Sequence, residues 1–130
     1  MLHRLALTAC ALALAACSGS ARSAEAYRDD TAALLETTNE AVRGCYDTVL
    51  KTHAGAQGTV AVRFVVGQKT GRIQNVRVDP SGTTAPKPVR DCVIAHIDGL
   101  ELMPADANDG EASFTWVFKA PPAPPPRPAG

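Results

Sequence analysis

The sequence predicts an α+β fold: a two-layer sandwich with a three-stranded antiparallel sheet packed by two helices, in the order α-β-β-α-β. Three observations predict it. Residues 59–66 and 111–119 alternate apolar and polar side chains with the period of a half-buried strand. A glycine-bounded turn, Gly67-Gln68-Lys69-Thr70-Gly71, joins the first of these to a return strand. Stretches with apolar residues at helical spacing lie before and after that hairpin. Such a sheet has one apolar face, which two helices can bury.

Each element follows from its residues. Asp29 or Asp30 is placed to cap the first helix. Leu35, Val42, Cys45, Tyr46, Val49 and Leu50 share one face of it, with Glu36, Glu40, Arg43, Asp47 and Lys51 largely off that face. Gly44 interrupts it and is expected to let the backbone beside Cys45 approach a neighbour; Gly55 and Gly58 end the element. In the first strand Val60, Val62, Phe64 and Val66 point one way and Thr59, Ala61, Arg63 and Val65 the other. The return strand, 72–79, places Val76 and Val78 on one face and Ile73, Asn75 and Arg77 on the opposite one. Pro80-Ser81-Gly82 closes it. The second helix runs from about Pro88 to Asp98, with Pro88 in its first turn and Gly99 just past its end. Val89, Cys92, Val93, His96 and Ile97 form its buried stripe. After a loop over 100–110, the last strand turns Phe114, Trp116 and Phe118 to one face and Ser113, Thr115 and Val117 to the other.

The chain has an address as well as a fold. Met1-Leu2-His3-Arg4 and the apolar run to Ala16 have the form of a secretory leader, and that run is too short to span a bilayer. Leu14-Ala15-Ala16-Cys17-Ser18 matches a bacterial lipobox. The expected organisation is a signal peptide over 1–16, a lipidated tether over 17–28, a domain over 29–119 and a Pro-rich tail over 120–130. Cys17 is the residue expected to take lipid. Three acyl chains at about 0.8 kcal/mol per buried methylene would anchor the protein stably. The competing reading is an ordinary secretory signal with a chance cysteine. Ser18 after the lipidated residue favours the outer membrane by analogy with enteric sorting, with the domain facing the periplasm.

Cys10 leaves with the leader and Cys17 takes lipid, so two of the four cysteines remain, Cys45 and Cys92. In an oxidising compartment an even pair reads as a disulfide. Both sit on inward helix faces, so the bond would tie the two helices together. The alternative is a metal site with His53 and His96, which has no CxxC or HxxH pair behind it.

Composition excludes some functions. Thirteen basic residues balance thirteen acidic ones, and there is no basic stripe, so nucleic acid is not an expected partner. No cofactor fingerprint or phosphate loop occurs. An envelope hydrolase is disfavoured: Ser81 and Ser113 have no paired base and no Gly-x-Ser-x-Gly context. His53 near a helix end suits the helix dipole, and His96 reads as core. Asp106, Asp109 and Glu111 lack the spacing of a calcium loop and read as a solvated turn.

Several runs together carry a resemblance. They are Arg43-Gly44-Cys45-Tyr46, the strand Gly58-Thr59-Val60-Ala61-Val62-Arg63-Phe64-Val65-Val66, Gly71-Arg72-Ile73, Val76-Arg77-Val78, Val89-Arg90-Asp91-Cys92-Val93 and Phe114-Thr115-Trp116-Val117-Phe118. The pattern, over about residues 40–119, resembles the AgmX/PglI C-terminal domain family, which looks like the TonB C-terminal fold. Where family members carry an aromatic-basic stretch ending in Phe-Pro, this chain has Leu100-Glu101-Leu102-Met103-Pro104. The resemblance implies a non-enzymatic periplasmic binding or scaffolding domain, in motility or envelope machinery. TonB's membrane helix and long spanning region have no counterpart here, so energy coupling is not carried over. TonB-like domains bind by strand addition, which makes Ser113, Phe114, Thr115, Trp116 and Val117 the expected partner-binding edge for an envelope protein or peptide. The alternatives are an edge shielded by the Pro-rich tail and a structural protein that self-associates.

Overall fold

The structure, a computed structural model, describes residues 21–122 and 125–128. Cys17 and the residues expected as a leader lie outside the described residues. Described residues of the Pro-rich tail carry neither helix nor strand, and all but the half-buried Ala120 are exposed.

The chain is α+β. Helix α1 is Ala24–Glu36, α2 Asn39–Leu50, β1 Gly58–Val66, β2 Ile73–Val78, α3 Lys87–Ile97 and β3 Gly110–Phe118. A short 3-10 turn over Pro80–Gly82 follows β2. The sheet is antiparallel in the order β2-β1-β3.

The first helical region differs from expectation in two ways. It starts at Ala24, not after Asp29 or Asp30, because Ser23 is the cap; its Oγ accepts from Ala26 N–H at 3.1 Å. Residues 24–28 of the expected tether are therefore helical. The region also divides in two at Thr37-Thr38. The two hydroxyls donate to the carbonyls of Leu34 and Leu35 at 2.6 and 2.7 Å, the local competition by which threonine interrupts a helix. Gly44 does not bring backbones together: no atom outside its own helix lies within 4 Å of where its Cβ would sit.

Strand β1 buries Val60, Val62, Phe64 and Val66, as the alternation requires. Strand β2 departs from strict alternation. Its pairing with β1 shifts between Arg63 and Val65, and Asn75 has φ 54°. This bulge puts one extra residue in β2 and turns the strand over locally. Ile73 therefore points into the core with Val76 and Val78, not away with Arg77, and is fully buried.

The core lies between the sheet and the helices. Leu35, Val42, Tyr46, Val89, Val93 and Ile97 pack on the β1 valines, Phe64, Trp116 and Phe118. Burying a Val, Leu, Ile or Phe side chain contributes about 1.5–3 kcal/mol relative to leaving it exposed. The ring of Tyr46 meets that of Phe118 at 4.9 Å, and its hydroxyl donates to Ala56 O at 2.5 Å. Burial pushes this phenol above its ordinary pKa. Cys45 and Cys92 form a disulfide with their Cα atoms 5.7 Å apart, tying α2 to α3. Their sulfurs bond to each other, so the metal alternative with His53 and His96 does not apply. His96 is half-buried, not part of the fully buried stripe.

Candidate functional site

The two outer strands of the sheet present different edges. The first residues of β2 are already covered. Ile73 N–H donates to Leu100 O at 2.7 Å, Gly99 N–H to Ile73 O at 3.0 Å and Leu102 N–H to Gly71 O at 2.7 Å. Arg72 and Glu101 pair across this short ladder at 3.6 Å. The rest of β2 carries the bulge. Cover and bulge are both ways in which an edge is made unfit for pairing.

Strand β3 has neither. Its nine residues pair with β1 in continuous register, from Gly58 opposite Phe118 to Val66 opposite Gly110. The orientation of its outer groups follows from β1. The carbonyls of Thr59 and Ala61 accept from Thr84 and Asp79, on the β2 side. Successive residues turn their N–H and C=O groups to opposite sides, so Val60 and Val62 address β3. Their partners Trp116 and Phe114 answer them. Ser113, Thr115 and Val117 therefore direct their backbone groups away from β1. Among the described residues, nothing hydrogen-bonds to these groups.

The five residues expected at the edge thus divide by role. Ser113, Thr115 and Val117 supply free backbone donors and acceptors, and Val117 is 64% exposed. Phe114 and Trp116 turn inward, with ring centroids 4.6 Å apart. Trp116 is buried and Phe114 half-buried.

Helices α1 and α2 wall this edge. A groove of about 580 Å³ runs between Ala24, Tyr27, Arg28 and Thr31 of α1 and residues 111–115 of β3. A second, of about 380 Å³, runs between Asn39, Val42, Arg43 and Tyr46 of α2 and residues 116–119. Three buried polar atoms beside these grooves, the Tyr27 hydroxyl, Thr31 Oγ1 and Trp116 Nε1, have no hydrogen-bond partner. An unpaired buried donor costs about 1–3 kcal/mol.

Sequence reasoning missed the α1 wall and the residue that holds it. Arg22 donates its backbone N–H to Asp106 Oδ2 at 2.8 Å, Nε to Asp30 at 2.8 Å and Nη2 to Pro104 O at 2.6 Å. Asp106 is 7% exposed, not part of a solvated turn. Hydrogen bonds from the backbone N–H groups of Arg22 and Asn108 hold its carboxyl below the ordinary carboxylate pKa. Asp109 accepts from Gln68 N–H at 2.7 Å, pinning the hairpin turn. Tyr27 lies against Gly110, and burial, with Asp106 nearby, raises its phenol pKa. The usable signal was Ser23 ahead of Ala24-Glu25-Ala26, a cap followed by helix formers.

His53 is exposed at the end of α2 beside Thr52, with Nδ1 2.9 Å from its hydroxyl. Among the described residues no group of three or more His, Cys, Asp or Glu is placed to share a metal ion, and no helix is long and apolar enough to cross a membrane. The chain matches no protein-family model, no curated protein and no solved structure.

Proposed function

We propose that this chain is a lipid-anchored envelope protein whose domain binds an extended peptide segment of a partner by strand addition to β3. One observation carries the reading: β2 is covered and bulged, whereas β3 offers a straight nine-residue edge with its outer backbone groups free. An added strand would gain about 0.5–1.5 kcal/mol per hydrogen bond. The grooves beside α1 and α2 give room for its side chains. The reading is non-enzymatic: among the described residues, neither His53 nor His96 stands with both a nucleophile and a third orienting group. The likeness to the AgmX/PglI domain supports a scaffolding role in motility or envelope machinery and rests on the residues quoted above. Cys17 supplies the anchor, and the domain faces the periplasm, from the outer membrane by the Ser18 argument.

The test is a proline on the outward side. Thr115→Pro removes a donor that β1 does not use, so the sheet keeps its ladder. The expected outcome is about a tenfold or greater loss of partner captured from crosslinked cells, from a lost hydrogen bond and a ring in the partner's path. Near-ultraviolet dichroism should be unchanged. Equal capture by the variant and the parent chain would rule out strand addition at this edge. Sedimentation addresses self-association: a dimer that Thr115→Pro dissolves would make the added strand a second copy. Intact mass of the mature chain tests Cys17 directly.

A further inference from the structure

We infer that the loop end of the domain, residues 103–109, faces the lipid surface while the Phe118 end points away from it. The inference rests on the reading of Cys17 as the lipidated residue and adds an orientation to it. It starts from Arg22. The side chain is 11% exposed, and the residue makes hydrogen bonds to Asp106, Asp30 and Pro104. The chain leading from the anchor is thereby fastened to the 103–109 loop before α1 begins. Four residues lie between Cys17 and Arg22, and the five steps joining them reach about 18 Å when fully extended. The fastening point cannot stray further than that from the membrane.

The direction of β3 sets the other end. The strand begins at Gly110, against Tyr27 of α1, and ends at Phe118, against Tyr46 of α2. At the rise of a strand this spans about 27 Å. The Pro-rich tail leaves from that far end. Anchor and tail thus depart from opposite ends of the same strand, and the free edge between them lies within reach of partners standing off the membrane.

The near end also has a chemistry. Met103, beside the Arg22-bonded Pro104, is 67% exposed and is the apolar tip of this loop. Beside it Glu101 pairs with Arg72 and the buried Asp106 with Arg22, so the surroundings carry little net charge. Such a face suits a zwitterionic headgroup layer and has no affinity of its own for anionic lipid. It is held against the membrane by the acyl anchor and aimed by Arg22.

The experiment uses the full acylated chain, isotope-labelled, in nanodiscs of zwitterionic lipid doped with a gadolinium-chelating headgroup. Relaxation of amides at Arg22 and 105–109 should exceed that at Phe118 and Lys119 by about fivefold or more, given the inverse-sixth-power fall over the length of β3. Arg22→Ala should flatten the gradient toward equality while the thermal transition stays cooperative. Equal broadening at both ends of an acylated, nanodisc-bound chain overturns the orientation and leaves the anchor standing. A gradient that survives Arg22→Ala overturns the role of the clamp. A mature chain without acyl groups by intact mass removes the premise and the orientation with it.

Discussion

Gly71 joins two parts of the chain that no other residue type would let meet. Its φ is 67°, and a Cβ there would fall on the carbonyl of Leu102. That carbonyl belongs to the segment covering the start of β2, and Leu102 is itself buried. Gly71→Ala must therefore bear the left-handed conformation and push the cover away. The expected loss is about 2–4 kcal/mol, from backbone strain plus the broken pairing of Leu102 with Gly71. Urea denaturation measures it, and a loss below about 0.5 kcal/mol would show that the cover yields freely. Asp106 gives a residue-scale pH dependence. Its native pKa is depressed from the ordinary 3.8 by the backbone N–H donors of Arg22 and Asn108. A depressed carboxylate contributes stability that is present above its unfolded value and lost as pH falls through the native one. Acidification through the carboxylate range should therefore loosen Arg22 and the first turn of α1. Amide exchange at residues 22–26 should accelerate there, and Asp106→Asn should remove that dependence. Protection that holds unchanged down to about pH 3 would contradict the assignment.

At the scale of elements, the strands were legible because their physics is local. Val60, Val62, Phe64 and Val66 alternate strictly, and so do Phe114, Trp116 and Phe118; burial follows both patterns. Helix α3 lies within a residue of its expected ends, since Pro88 and Gly99 mark them and local signals decide both. The β2 bulge was not legible. Ile73 has the wrong parity for the core, and only the demand to bury it against Val66 opposite selects the extra residue, which Asn75 accommodates at positive φ. The Thr37-Thr38 break was hidden for a similar reason. Leu35 fits the stripe of α2 by period alone, and nothing in the period records that two threonine hydroxyls turn back on the helix. The edge was half legible. Alternation placed Ser113, Thr115 and Val117 opposite the aromatic face, but which residues offer free backbone groups depends on strand order. The start of α1 was marked by Ser23, but its docking beside β3 was not legible, because Arg22 finds Asp106 across 84 residues of chain.

At the scale of the whole molecule, one covalent bond joins what the strand order separates. Helices α2 and α3 lie side by side on the sheet, yet the hairpin of β1 and β2 stands between them in the chain, and the Cys45–Cys92 bond closes that separation of 47 residues. Closing such a loop removes about 4 kcal/mol of freedom from the unfolded chain in the entropy picture, a large share of the 5–15 kcal/mol typical of a small domain. Cys45→Ala with Cys92→Ala, or reduction of the parent chain, should lower the melting temperature by about 15 °C or more. The two treatments should agree closely if the bond, and not the bulk of its sulfurs, is what matters. A shift under about 5 °C would mean that packing of Val42, Val89 and Val93 holds the helical layer unaided. The consequence reaches the β3 edge. Tyr46 on α2 supports Phe118, and α2 walls the far half of that strand. Partner capture by the reduced chain should therefore fail at a lower temperature than capture by the oxidised chain, in step with the two melting curves.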